Sequence, residues 1–437
     1  MTMVQRPASS TRVLPAWPVV VVLWGYPVWW LLGLLSFAPV IMAIPMVGLL
    51  IMKRRLLLVP GVLPLIGIVV WMIPSVMMVD DFGQLLSLIV RFSQYGAIAV
   101  LVVYILNARD TLPPHRILYG LAVIWAFVIA AGYLGILFPH GHLTYTVGLL
   151  LPESLSNNDY IHDLVFPPFA EVQEPWGAQH PFVRPSAPFS YSNGWGAAVA
   201  VLTPITVGTA IGHRSLRAVV GLIAGVVAMV PPAVATTNRG LLVGLGIALG
   251  YVTVRLLFRG RWAALLSSLL LGTVAGTGLV ASGVAEAINR RQDTVDTTSG
   301  RAQVYRETFD RALQSPLFGY GAPRPGRTTE IFVGTQGAVW TALFCFGFVG
   351  LALLLWTLAG WAIRTYDAPN LSSLWLHASL ITACLLSVFY GLDRHLLFLG
   401  AATALMLREK YLAGSRYWVP APRSFPARLL ATVARDA

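Results

Sequence analysis

The chain has 437 residues, of which 57% are hydrophobic and only 11% charged. Soluble domains carry about 25% charged residues, and a mean hydropathy of +0.72 leaves too little polar surface to cover a water-soluble globule. Composition therefore excludes a soluble multidomain enzyme, a disordered chain, a coiled coil and a disulfide-stapled secreted fold, and points to an all-α polytopic transmembrane helix bundle. The two cysteines, Cys345 and Cys384, sit in apolar runs and read as small core residues.

A helix needs roughly 20 apolar residues to cross the hydrocarbon core, and the apolar runs predict about twelve such spans. Trp17 to Met52 is long enough for two short spans, broken near Ser36–Pro39, and reads as an uncleaved anchor. The others are predicted near 56–79, 83–108, 117–138, 190–211, 218–235, 240–258, 262–283, 337–361, 372–390 and 395–407. Lys and Arg prefer cytoplasmic loops. With both termini placed inside, the inside segments hold nineteen of the 30 basic residues but four of the 18 acids. The net charge of +12 is thus a topology signal, and no nucleic-acid partner is expected. The tail 408–437 reads as a basic cytoplasmic segment in contact with membrane lipid.

Within this single membrane domain two outer connections stand out for length, about 139–189 and 284–336, and loops this long are usually functional or disordered. The first is rich in proline and acids, Glu171 among them. The second contains an amphipathic helix predicted over 301–314. Ala302, Tyr305, Phe309, Ala312 and Leu313 lie on one face, and Pro316 follows with a glycine-rich turn.

Arginines on the outer side run against the topology rule, which makes them informative. Guanidinium is permanently charged and matches phosphate oxygens with a two-pronged fork. Arg184 precedes the span at 190–211, Arg239 sits at the outer mouth of the span at 240–258, and Arg301 opens the amphipathic helix. Together they suit a lipid-linked phosphate or pyrophosphate; taken singly, each also suits pairing with outer acids or lipid phosphate. Arg91 lies inside an apolar span, where a charge is costly unless paired; Asp80, Asp81 or a cavity are its expected partners. Asp393-Arg394-His395 reads as a local ion-pair corner. Imidazole is the usual general base near neutral pH, and His180 and His395 are the outer candidates. Gly244 to Gly250 is a helix-packing surface, not a nucleotide loop, because no strand precedes it. No metal-ligand spacing appears, and no metal or other cofactor is expected.

Four segments carry a resemblance. Arg184-Pro-Ser-Ala-Pro-Phe-Ser-Tyr-Ser-Asn193 resembles an R-x-x-G-x-F-x-N-P-N segment entering a span, with Ala187 at the glycine. Thr237-Asn-Arg239-Gly240 resembles an S-R-G start of a long span. Arg301 to Tyr305, followed by Ser315-Pro-Leu-Phe-Gly319-Tyr-Gly321, resembles an R-x-x-x-W helix with P-L-F-G-x-G. Gln336-Gly337 followed by Gly347-Phe-Val-Gly350 resembles an H-N segment leading into G-x-x-G. The chain thus resembles the O-antigen ligase-like family of bacterial O-antigen ligases and polysaccharide polymerases over about 180–360.

The resemblance implies a metal-independent glycosyltransferase of the cell envelope. Its donor is a polyprenyl-pyrophosphate-linked glycan (undecaprenyl pyrophosphate in kind), and its acceptor is a glycan or glycolipid on the outer face of the cytoplasmic membrane. It places Arg184, Arg239, Arg301 and Gln336 in the catalytic centre; Asn193, Tyr305 and Arg306 beside them, and Arg91 as a residue that lines the cavity, are the further candidates for binding substrate. Gln336 stands where the family carries its base histidine, and glutamine takes no proton at neutral pH. Either His180, His395 or Glu330 is the base, or the reaction needs less base help, or ligase activity is lost; the departure favours a polymerase or divergent homologue over a plain ligase. A transporter of the same lipid is the reading from another class, but no clear internal repeat supports it.

Overall fold

A computed structural model describes residues 13–53, 56–156, 158–173, 181–266, 269–270, 272–273, 297–327 and 331–411. Its helices are α1 (Trp17–Trp24), α2 (Tyr26–Leu31), α3 (Ala38–Ile51), α4 (Leu63–Met72), α5 (Phe82–Asn107), α6 (Pro114–Leu137), the short α7 (Glu153–Ser156) and α8 (Asp159–Val165), α9 (Ser192–His213), α10 (Leu216–Thr236), α11 (Arg239–Leu257), α12 (Thr297–Ala312), α13 (Ala338–Arg364), α14 (Leu371–Leu386) and α15 (Leu396–Tyr411). The outer connections add two small antiparallel hairpins, β1 (Ala170–Gln173) with β2 (Phe182–Pro185) and β3 (Arg324–Pro325) with β4 (Phe332–Val333). Among the described residues six helices are long and apolar enough to cross a membrane: α5, α6, α9, α10, α11 and α13. Three shorter apolar ones accompany them, at Ala38–Ile51, Leu63–Met78 and Leu371–Leu386. Most of the predicted segment 262–283 lies outside the described residues.

Sequence chemistry sets where these helices begin. Proline occupies the first turn of α1, α2, α3, α4 and α6, where its missing N–H costs nothing. Side chains of Asp81, Ser215 and Asn238 cap α5, α10 and α11, and Asn370 forms a capping box with Ser373 on α14. Burial then sorts the helices. The apolar window of α9 is 83% buried and that of α5 is 72%, against 11% for α10. Val219, Val220, Ile223, Val227 and Val230 of α10 all face outward. A helix that apolar and that exposed is unstable in water, so its outer face meets lipid and the protein is membrane-embedded.

The helix ends gather into two faces. Lys53 reaches Asn107, Arg408 reaches Leu112, Arg255 reaches Tyr366 and Lys410 pairs with Asp367, so the segments predicted inside come together at one end. The other end holds both hairpins, α12 and the turn 387–395.

Several expectations change. The first apolar stretch breaks twice, at Gly25 and over 32–37. Arg91 pairs with neither Asp80 nor Asp81. Its Nε donates to Asp393 at 3.1 Å, and Tyr95 donates to the same carboxylate at 3.2 Å. Asp80 instead holds Arg324 at 2.7 Å, and Asp81 caps α5. Asp393 thus pairs with Arg91 of α5 rather than within the predicted corner at 393–395, and Arg394 donates to Ser190 Oγ at 3.5 Å. The amphipathic helix runs Thr297–Ala312, and its buried stripe is Val304, Thr308, Arg311 and Ala312, while Phe309 and Leu313 face outward. The stripe rotates because Arg311 packs over the rings of Tyr320 and Phe344, at 5.3 and 5.0 Å.

That packing belongs to a clamp on α13. Gly347 leaves helical geometry at φ +68°, and the 315–321 turn threads the break. Tyr320 and Gly321 donate to the carbonyls of Phe344 and Cys345 at 2.9 and 2.8 Å, and Phe348 N–H donates to Pro316 O at 2.8 Å. The carbonyls freed by the kink are thereby satisfied. A Cβ on Gly347 would stand 2.3 Å from Leu317 O. Gly347→Ala is therefore expected to cost about 1–3 kcal/mol from the left-handed backbone alone, with the clash adding to it. A thermal unfolding midpoint in detergent equal to wild type would show that the kink is not required.

Candidate functional site

Tyr390 occupies the centre of the candidate site, in the turn between α14 and α15. Its hydroxyl donates to Asn238 Oδ1 at 2.9 Å and accepts from Gly240 N–H at 3.1 Å. Asn238 Nδ2 in turn donates to Ser192 O at 3.3 Å. The phenol thus ties the first turn of α11, which carries Arg239, to the start of α9. Gly240 is required here, since a Cβ would stand 2.0 Å from the Tyr390 ring. Burial pushes the Tyr390 phenol up from the ordinary tyrosine range. The charges of Arg301, Arg184 and Arg239 pull against that shift. The three predicted arginines lie on three separate elements, and Arg239 directly follows Asn238, which the Tyr390 hydroxyl holds.

Their environments differ. Arg184 is only 5% exposed. It lies in β2 directly opposite Glu171 of β1, with Nη1 3.7 Å from that carboxylate. Its Nε donates to Thr236 O at 2.9 Å and its Nη2 to Asn193 Oδ1 at 3.5 Å. Glu171 also accepts from the Ser192 N–H and hydroxyl, at 3.1 and 2.6 Å. Arg184 and Asn193 thus brace the outer hairpin against α9 and α10. Arg239 is exposed at the first position of α11, and Arg301 is half-buried in the first turns of α12.

Gln336 joins the same cluster through its backbone. Tyr305 of α12 donates to Gln336 O at 3.3 Å and stacks on Trp340 with ring centroids 4.4 Å apart. Burial raises the Tyr305 phenol too, with Arg301 pulling it down and Tyr390 pushing it up. The N–H groups of Ala338 and Val339, which open α13, donate to Tyr390 O and Ser387 O at 3.0 and 3.1 Å. Gly337 makes this docking possible. At φ +146° its Cβ would stand 2.4 Å from Val388 O, so the asparagine of the resembled segment has no room here. Both departures, Gln336 and Gly337, sit where the α13 start docks on the 387–390 turn.

Other predicted site residues fall elsewhere. Arg306 is exposed on α12. Arg91 is committed to Asp393 beneath the turn. His395 is buried, bonds Gly194 O at 2.9 Å and stacks on Phe189, so it packs the turn rather than facing the arginines. His180 and Glu330 lie outside the described residues. Sequence reasoning missed Tyr390 and the role of Glu171. Tyr390 ends an apolar run and reads there as an interfacial aromatic; only the fold brings it to Asn238, 152 positions away.

Tyr390→Phe removes two hydrogen bonds, each worth about 1 kcal/mol, and leaves Asn238 Oδ1 short of a donor. Lower stability together with a partial loss of activity is expected; unchanged stability in a detergent melt would remove Tyr390 as the brace of α11.

Residues 224–355 match the family model for O-antigen ligase. The match takes in Arg239, Arg301, Tyr305, Arg306 and Gln336, and bears out the family resemblance across that segment. No curated protein matches the chain.

Proposed function

We propose that the protein transfers a glycan from a polyprenyl-pyrophosphate carrier to a hydroxyl of a sugar or glycolipid acceptor at the outer face of the cytoplasmic membrane. The N- and C-termini lie inside, and about twelve helices span the bilayer. What supports this reading is geometric: Arg184 Nε bonds Thr236 O beside Arg239, Tyr390 braces the Asn238 that precedes Arg239, and Arg301 lies on the helix whose Tyr305 bonds Gln336 O, within a chain whose segment 224–355 matches the family model for O-antigen ligase.

The labour divides according to the geometry. Arg239 and Arg301 receive the pyrophosphate, since each reaches the cluster from the first turns of a helix. Such helix starts favour anions as well. Arg184 keeps the hairpin and Asn193 in place and adds its field. When the acceptor oxygen attacks the anomeric carbon, the bond to the pyrophosphate breaks and the leaving oxygen takes the electron pair. Fixed guanidinium groups stabilise that charge as it develops, commonly a large part of catalysis. The described groups around Tyr390 are arginines, raised tyrosines and amides, and Glu171 is held by Arg184 and Ser192. The proton of the attacking hydroxyl passes to a base, for which His180 and Glu330, outside the described residues, are the candidates, and Gln336 orients the acceptor.

Gln336 in place of a histidine favours a second reading within the same chemistry, a polysaccharide polymerase whose acceptor is another lipid-linked chain. The test is the size profile of surface and lipid-linked glycans in a deletion strain, with rescue by wild type and by Arg239→Ala. Long chains stranded on the carrier identify a ligase, and single repeat units identify a polymerase. An unchanged profile, or full rescue by Arg239→Ala, overturns the enzymatic reading and leaves a transporter or an inactive homologue.

A further inference from the structure

At the opposite face from Tyr390, the end of α11 and the start of α14 border an open cavity of about 260 Å³ lined by Leu256, Arg259, Arg261, Pro369, Asn370 and Leu371. The way α11 ends builds one wall. Gly260 takes φ +75°, so Gly260 N–H donates to Leu257 O and Arg261 N–H folds back to Leu256 O, both at 2.9 Å. This pattern closes the helix and brings Arg259 and Arg261 to the same rim. Arg259 is held at 2.8 Å by Ala368 O. The Arg261 side chain has no hydrogen bond or ion pair among the described residues. The nearby acid, Asp367, is held by Lys410 at 2.8 Å. The start of α14 forms the opposite wall and adds the positive end of its dipole.

Depth supplies the second clue. Phe258 and Trp262, flanking the two arginines, are 88% and 68% exposed. Tryptophan sits at headgroup level, so Trp262 places the mouth of the cavity where phospholipid phosphates lie. Basic pockets between membrane helices at such a face hold anionic headgroups.

We propose that this cavity is a binding site for a phosphate oxyanion, gripped by Arg259 and Arg261 against the α14 start. Two sources carry that chemistry at this depth, an anionic phospholipid headgroup and free phosphate. The test uses the purified full chain in neutral detergent. Native mass spectrometry follows binding of phosphatidylglycerol against phosphatidylcholine, and thermal unfolding is followed with and without inorganic phosphate. Arg261→Gln removes a side chain that supports no described contact, so it tests the site without unsettling the fold; Arg259→Gln/Arg261→Gln follows. Arg214→Gln/Arg217→Gln, away from the cavity on the same face, controls for general surface charge.

Wild type is expected to prefer phosphatidylglycerol, with affinity falling about tenfold or more in the double variant and much less in the control. Protection by phosphatidylglycerol alone assigns the oxyanion to lipid. Equal protection by inorganic phosphate, lost in the same variants, assigns it to the free ion. Binding that the Arg259 and Arg261 variants leave unchanged, or that the control weakens equally, overturns the site.

Discussion

Arg239→Ala is expected to lower glycan transfer by about 10²–10³-fold, the usual loss when one fixed donor to a developing oxyanion is removed, while leaving the fold intact. The two halves of this expectation come from the same position. Arg239 is exposed at the start of α11, so its truncation opens no cavity. The cap on that helix comes from Asn238, and Tyr390 braces both Asn238 and Gly240. Arg301→Ala is expected to behave alike. Arg306→Ala, one turn further along α12 and exposed, is expected to stay within a few-fold of wild type. Initial rates with a lipid-linked donor in reconstituted vesicles, beside a thermal melt, separate the two effects. A ten-degree fall in melting temperature for Arg239→Ala would assign the residue to folding. An unchanged rate would remove it from the site.

Membrane class was legible in the sequence because it rests on composition, and most helices fell where apolar runs placed them because span length is fixed by bilayer thickness. The arginines stand out in the sequence because positive charge in segments predicted outside runs against the topology rule. Three features were not legible, each for a physical reason. Arg91 finds Asp393 across 302 positions, a pairing set by how α5 meets the turn before α15, which no local pattern encodes. The buried stripe of α12 was misjudged because Arg311, a charged residue, faces inward onto aromatic rings that a separate segment supplies. Gly347 reads as a packing glycine within G-x-x-G, yet it breaks α13 so that the 315–321 turn can lock in. Its left-handed φ shows only in the backbone.

Arg184→Ala should lose both activity and stability, and this distinguishes it from Arg239. Removing one member of a buried ion pair costs roughly 3–5 kcal/mol, because the other charge is left without its partner. The lower end applies here, since Glu171 keeps the Ser192 N–H and hydroxyl, while Thr236 O and Asn193 Oδ1 lose their donor. Arg184→Lys keeps a charge but not the fork that reaches all three acceptors, so it should recover only part of the stability. The decisive comparison adds Glu171→Ala. If the pair is structural, the double variant Arg184→Ala/Glu171→Ala loses less stability than the two single variants summed, because each single variant already forfeits the shared contact. Its transfer rate should stay low, because the hairpin no longer positions Asn193 or contributes positive field at Tyr390. Additive losses in that cycle would show that Arg184 and Glu171 are not coupled. Full activity in the double variant would place the anion chemistry on Arg239 and Arg301 alone.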